Sequence, residues 1–511
     1  MSMNARPVKL HHLAAYGLTD ILGAGAMAVI GGWILYFYTS FCGLTAVEAT
    51  SIFAIARLFD AVASPIIGHI SDGMASSKLG KRFGRRRVFL LIGLPLLPTF
   101  ALMWVSGQNY IYYLLTYVFF EVVYTSILIP YETLAAEMTD DFKTRARFAG
   151  SRILVGQMAA IAAGILPAWI VTTLGKESAD TFLYLGIIFS ALFVLAVGTT
   201  WWFSWERDPS TLTERPVIEK PTQSIVTRIY GALLSTLRVR AFRLHLGMYL
   251  GGYTAMDVFT AVFTYFVVFS LSGSVSIAAG MMALMGVAQL ISVAAFIPLL
   301  VQLSPGKAYR LAAAIFAVGI LGIGLSAVLL PVPKDMLWLI YGAIFICGLG
   351  RGGLVYIPWS TYNYIADVDE IMTGQRREGI FAGVMTMVRK TVQAAAVMAV
   401  GVILDMGGFV SGATSQPLGA TNTIIFILMV PPLILLMLGG VASAKFLMSR
   451  ETHKILMAEI ECFKRTGSGS GSISSQRVVE DLTGYPFHQM WPHSQAPTDN
   501  VPSPAKPIPT Q

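Results

Sequence analysis

The chain has 511 residues, 55% of them hydrophobic and only 13% charged, with mean hydropathy +0.66 and formal net charge +8. A soluble globular domain carries about 25% charged residues, so this composition excludes that class and belongs to a polytopic membrane protein. The positive charge does not point to nucleic acid, because the basic residues sit in short loops between apolar runs, where membrane topology places them. Residues 1–12 are polar and basic without an apolar core of their own, so the first span is expected to serve as the insertion signal. Cys42, Cys347 and Cys462 lie far apart and form neither a metal spacing nor a disulfide framework.

Apolar runs of about 20 residues predict an all-α protein of twelve spans. They lie near 13–39, 47–72, 88–106, 109–137, 150–174, 181–204, 242–271, 274–302, 308–330, 336–365, 379–404 and 421–446. Basic residues concentrate in alternate loops, with Lys78 to Arg87, Lys143 to Arg147, Lys307 with Arg310, and Arg376 with Arg377 on one side, against Lys176 and Lys334 on the other. That asymmetry predicts that both termini are cytoplasmic. A polar, proline-containing segment at 205–240 separates a six-span half at 13–204 from a second at 241–447, the two-half layout of the major facilitator fold. From 448 to 511 the chain turns polar, passes through GSGSGS and ends proline-rich, which reads as a disordered cytoplasmic tail.

Charges inside spans carry the functional signal, since each costs at least ~2.5–3.5 kcal/mol at mid-membrane. Asp20 in the first span is either an acceptor for a polar solute or half of a structural pair. Arg57 and Asp60 share one face of the second span, with Ser64 a turn further on. They either neutralise each other or mark an ion path. In the fourth span Tyr124 and Thr125 lie about a turn beyond Glu121, and their hydroxyls suit a sugar or a weakly held cation or a bond to a neighbouring helix. Arg152 opens the fifth span as a ligand or an anchor. Lys390 lies too deep in the eleventh span for anchoring, whereas Arg389 beside it faces elsewhere and is expected to snorkel. Glu121, Asp257 and Arg351 have no clear partner in sequence. Asp72 at the end of the second span, followed by Arg85 and Arg86, suggests a carboxylate–arginine latch on the cytoplasmic side, or topology alone.

Five stretches, YGLTD, RLFDAVASPIIGHISD, YTSILIPYETL, RARFAGSR and IADVDEIMTGQRREGIFAGVMTMVRK, give the chain a resemblance over residues 12 to 450. It resembles the glycoside–pentoside–hexuronide:cation symporter family, the melibiose-permease-like branch of the major facilitators. The resemblance implies solute contacts at Asp20, Tyr124 and Arg152. It also implies a sodium or proton site at Asp60 and Thr125, with Lys390 beside it. Five positions depart from the permease pattern: Ala63-Ser64 replace Asn-Asp, Leu128 replaces a sugar-binding aspartate, Glu132 an aromatic, and Thr19 a lysine. A site with one carboxylate and one lysine should hold sodium less tightly.

The expected function is symport of a glycoside or other sugar-like solute with Na+ or H+ across the plasma membrane, by alternating access. Asp20, Tyr124 and Arg152 are expected to touch solute, and Asp60, Ser64, Thr125 and Lys390 to couple the ion. A monomer among membrane lipids is expected, with no cofactor beyond the coupling ion. The alternative is an uncoupled facilitator, or a carrier of a less polar solute such as a lipid, sterol or aromatic glycoside. A membrane sensor or enzyme is more remote, because the spans hold no nucleophile motif, phosphate loop or paired metal spacing.

Overall fold

The computed structural model describes residues 8–74, 77–139, 142–174, 178–206, 235–329, 337–374, 378–470 and 472–490. Among these the regular structure is entirely helical, and eleven helices are long and apolar enough to cross a membrane. In the first half these are α1 (Leu10–Phe41), α2 (Ala46–Gly73), α4 (Tyr110–Met138), α5 (Phe142–Leu174) and α6 (Ala179–Phe203). The second half holds α7 (Arg240–Ser270), α8 (Val275–Gln302), α9 (Pro305–Leu329) and α10 (Leu337–Thr361). After the short α11 (Asn363–Thr373) come α12 (Glu378–Met406) and α13 (Leu418–Lys445).

The expected third span is the exception to the count of twelve. Here α3 (Arg87–Leu102) is assembled from Arg87–Gly93, a 3-10 turn at Leu94–Leu96 and Thr99–Leu102. Pro95 and Pro98 have no N–H to give to the ladder, so the α-helix cannot run through. At 1.5 Å per residue this segment is about 24 Å long, shorter than a hydrocarbon core of ~30 Å.

Helix starts follow local chemistry. Thr45 and Glu48 form a reciprocal capping box on α2, and Asn109 accepts the Tyr112 N–H at 2.9 Å on α4. Outward faces stay apolar, with Leu195, Ile291, Val318 and Met437 exposed where lipid would lie. The first helix is not regular: π turns at Ile21–Gly25 and Ile30–Ile34 interrupt it. Such widened turns offset the ladder and commonly fall at functional positions.

The halves join on the face opposite the termini. Thr264 donates to the Gly32 carbonyl at 2.9 Å, and the Thr39 and Tyr265 hydroxyls meet at 2.8 Å. Asp405 accepts the Ala46 and Val47 N–H groups at 3.2 and 3.1 Å, so one half caps a helix of the other.

Most of the expected central loop and the chain beyond 490 lie outside the described residues, but the expected disorder from 448 does not hold where the tail is described. Residues Arg450–Thr466 form α14 and Ile473–Thr483 form α15. They bury Leu456, Ile460, Phe463, Val479 and Leu482. Lys464 pairs with Glu370 at 2.6 Å and His453 with Asp367 at 2.8 Å, both acids on α11. A helical apolar stripe and acidic partners outweigh the short GSGSGS linker.

Candidate functional site

A cavity of about 640 Å³ lies between the halves. That volume suits a small solute. On the first-half wall Arg152 Nε donates to Asp20 Oδ2 at 2.7 Å, and the Tyr131 hydroxyl reaches the same oxygen at 3.0 Å. The guanidinium lies over the Tyr131 ring, 4.8 Å from its centroid, and also pairs with Glu132 at 3.3 Å. Local backbone explains how Asp20 fits. It immediately precedes the first π turn, and a Cβ on Gly23 would stand 2.8 Å from its Oδ1. Tyr124 spends its hydroxyl on the Gly23 carbonyl at 2.9 Å, so it props the widened turn while lining the cavity.

Asp60 sits behind this wall with its side chain wholly buried. Thr125 donates to its Oδ1, and Ser64 does so at 3.2 Å. Lys390, reaching from the second half, lies 2.7 Å from Asp60 Oδ2 and donates to Ser64 Oγ at 3.0 Å. Arg57 is 3.7 Å from Asp60 but 3.4 Å from Glu121, a fully buried acid that the sequence left without a partner. Arg57 and Lys390 line the cavity, so the carboxylate is screened from it by two cations. The sequence signal for Glu121 was present: it lies four residues before Thr125, on the same helical face.

The second-half wall is charged too. Arg389 does not snorkel. It pairs with Asp257 at 2.7 Å, and Gln393 donates to the same acid at 3.1 Å. Arg389 also lies over the Tyr253 ring at 5.1 Å, and Trp359 donates to the Tyr253 hydroxyl at 2.9 Å. Arg351 donates from Nε to Gln289 at 3.2 Å and from Nη1 to Thr260 at 3.0 Å.

The expected latch is described only in part. The Asp72 side chain lies outside the described residues. Arg85 pairs with Glu137, and Arg86 Nη1 donates to Ser71 at 2.7 Å. Glu206 collects the backbone N–H groups of Arg85, Arg86 and Arg87 at 2.7, 2.8 and 2.7 Å. Glu137 and Ser71 belong to the first half, and Glu206 lies just past its last helix, α6. With the halves joined on the opposite face, the exposed lining residues Glu132 and Trp359 lie near the terminus-side ends of α4 and α10.

Two helical bundles around a charge-lined central cavity define a transporter of the major facilitator type rather than an enzyme. The chain belongs to the MFS/sugar transport protein family, whose sequence profile matches residues 15–448. It is 25% identical to an uncharacterised symporter of Synechocystis sp., over 82% of this chain and 90% of that protein. It is 23% identical to the glucuronide carrier protein homolog of Escherichia coli, over 92% of this chain and 98% of that one. The crystal structure of a D-xylose–proton symporter superposes with TM-score 0.56 at 13% identity, covering 84% of this chain and 96% of that one.

Proposed function

We propose that the protein carries a sugar-like solute, a glycoside or sugar acid, across the plasma membrane together with Na+ or H+. The solute sits between Asp20 with Arg152 on one wall and the Tyr253–Trp359 pair on the other. The coupling ion acts at Asp60. The observation that carries this reading is the ion pair between Asp60 and Lys390, which joins the two halves at 2.7 Å. A cation or proton taken up at Asp60 competes with that ammonium, so ion binding and the relation between the halves share one group. A ligand shifts a conformational equilibrium only through such differential affinity. Asp60, Ser64 and Thr125 offer the hard oxygen donors that Na+ uses, and Asp60 alone suffices for a proton.

Support for a sugar-like solute comes from the cavity's paired carboxylate, guanidinium and aromatic rings, and from the glucuronide and D-xylose in the names of two similar proteins. The basic loops support a cytoplasmic location for both termini, and on that reading the described state is open inward. The test is uptake into liposomes under imposed Na+ or H+ gradients. Asp60→Asn should abolish accumulation against a gradient and leave downhill exchange. Accumulation by that variant, or wild-type uptake indifferent to the collapse of both gradients, sinks the coupling.

A further inference from the structure

We propose that the solute carries an anionic group, a carboxylate above all, and that Arg351 on the second-half wall receives it. This deepens the transport reading above and rests on it. Four of the five cationic side chains that line the cavity are paired with acids: Arg57 with Glu121, Lys390 with Asp60, Arg152 with Asp20, and Arg389 with Asp257. Arg351 is the fifth. Its partners, Gln289 and Thr260, are neutral, and among the described residues no carboxylate lies within ion-pair distance of it. Asp257 is the acid nearest in kind, one helical turn before Thr260, but Arg389 and Gln393 take up its oxygens. The second-half wall therefore presents two guanidiniums against one carboxylate.

The backbone around Arg351 fixes where it points. In GLGRGG, a Cβ on Gly348 would stand 2.5 Å from the Met285 carbonyl oxygen, and one on Gly350 2.3 Å from the Phe316 nitrogen. At Gly352 it would meet Ser292 at 2.5 Å, and at Gly353 Ala312 at the same distance. These contacts press α10 against α8 and α9 on both flanks and leave Arg351 on the cavity side, where it is a lining residue. Gln289 and Thr260 occupy Nε and Nη1, which leaves Nη2 to donate to an incoming oxygen. A uronide fits both walls at once, with ring hydroxyls at Asp20 and Arg152 and its carboxylate at Arg351.

The test compares methyl glucuronide with methyl glucoside, which differ by a carboxylate in place of a hydroxymethyl, in liposomes containing the purified full-length protein. The expected result is a preference for the glucuronide of about tenfold or more in kcat/KM. Arg351→Gln should bring that ratio near one, and Arg351→Lys should retain part of it, because the charge remains while the planar fork is lost. Equal uptake of both sugars by the wild type, or an undiminished ratio in a monodisperse Arg351→Gln protein, overturns the proposal. If Arg351→Gln fails to fold, the wild-type ratio and Arg351→Lys decide. Uptake of the glucoside alone defeats the acid site and leaves the transport reading standing, whereas uptake of neither defeats both.

Discussion

Lys390 gives the sharpest prediction at the residue scale. Removing its ammonium leaves Asp60 with two hydroxyls and a guanidinium 3.7 Å away that is closer to Glu121. Lys390→Gln should therefore raise the apparent affinity for the coupling ion by about tenfold, or ~1.4 kcal/mol, read as the ion dependence of uptake. An unchanged ion dependence would show that the lysine does not compete. At Asp20, the Asn substitution keeps an amide oxygen that can accept from Arg152 but removes the ion pair, leaving Glu132 as the acid beside that guanidinium. We expect a KM increase of about tenfold, with a double-mutant cycle against Arg152→Gln showing strong coupling between the two. Asp20 and Asp60 were legible in sequence because a lone acid in an apolar run is expensive and conspicuous. The pairing of Asp257 with Arg389 was not, since the two stand 132 residues apart and no local spacing joins them. Lys390 was singled out on its depth and on the family resemblance, yet Arg389 beside it is equally engaged.

At the scale of the element, span positions followed from apolar length, and the departures have identifiable causes. Two prolines cut α3 into pieces that a hydropathy reading joins. The tail helices were missed because a glycine–serine linker and a polar average masked an apolar stripe at Leu456, Ile460 and Phe463. Deleting the chain from Arg450 should uncover the acids of α11 and lower the melting temperature of the detergent-solubilised protein. The glycines of α10 make a second case. Gly350→Ala forces a methyl to within 2.3 Å of backbone that cannot rotate away. Overpacking of this kind costs about 1–3 kcal/mol, so a lower melting temperature is expected, and an unaltered one would mean that α9 can withdraw freely.

For the whole molecule, Thr264, Tyr265 and Asp405 bond across the halves on the face opposite the termini, and Asp405 is the charged member of that set. Its carboxylate meets the positive end of α2, an arrangement typically worth 0.3–1 kcal/mol. Asp405→Asn should shift the population toward the state open on that face, seen as faster labelling of a cysteine placed at Ile34 by a reagent that cannot cross the bilayer. No gain in labelling would show that the apolar contacts dominate the closure. The tail has a practical consequence for observing such motion. Cys462 stands half-buried on α14, which is fastened through Lys464 and His453 to the second bundle; Cys347 is buried, and Cys42, half-buried just past α1, would first be replaced by serine. A dye or spin label on the Cys462 thiol would ride with one bundle as a fixed pointer. Paired with a second label near Glu206 on the other bundle, it would turn each transport cycle into a distance trace, without a tag being grafted onto either.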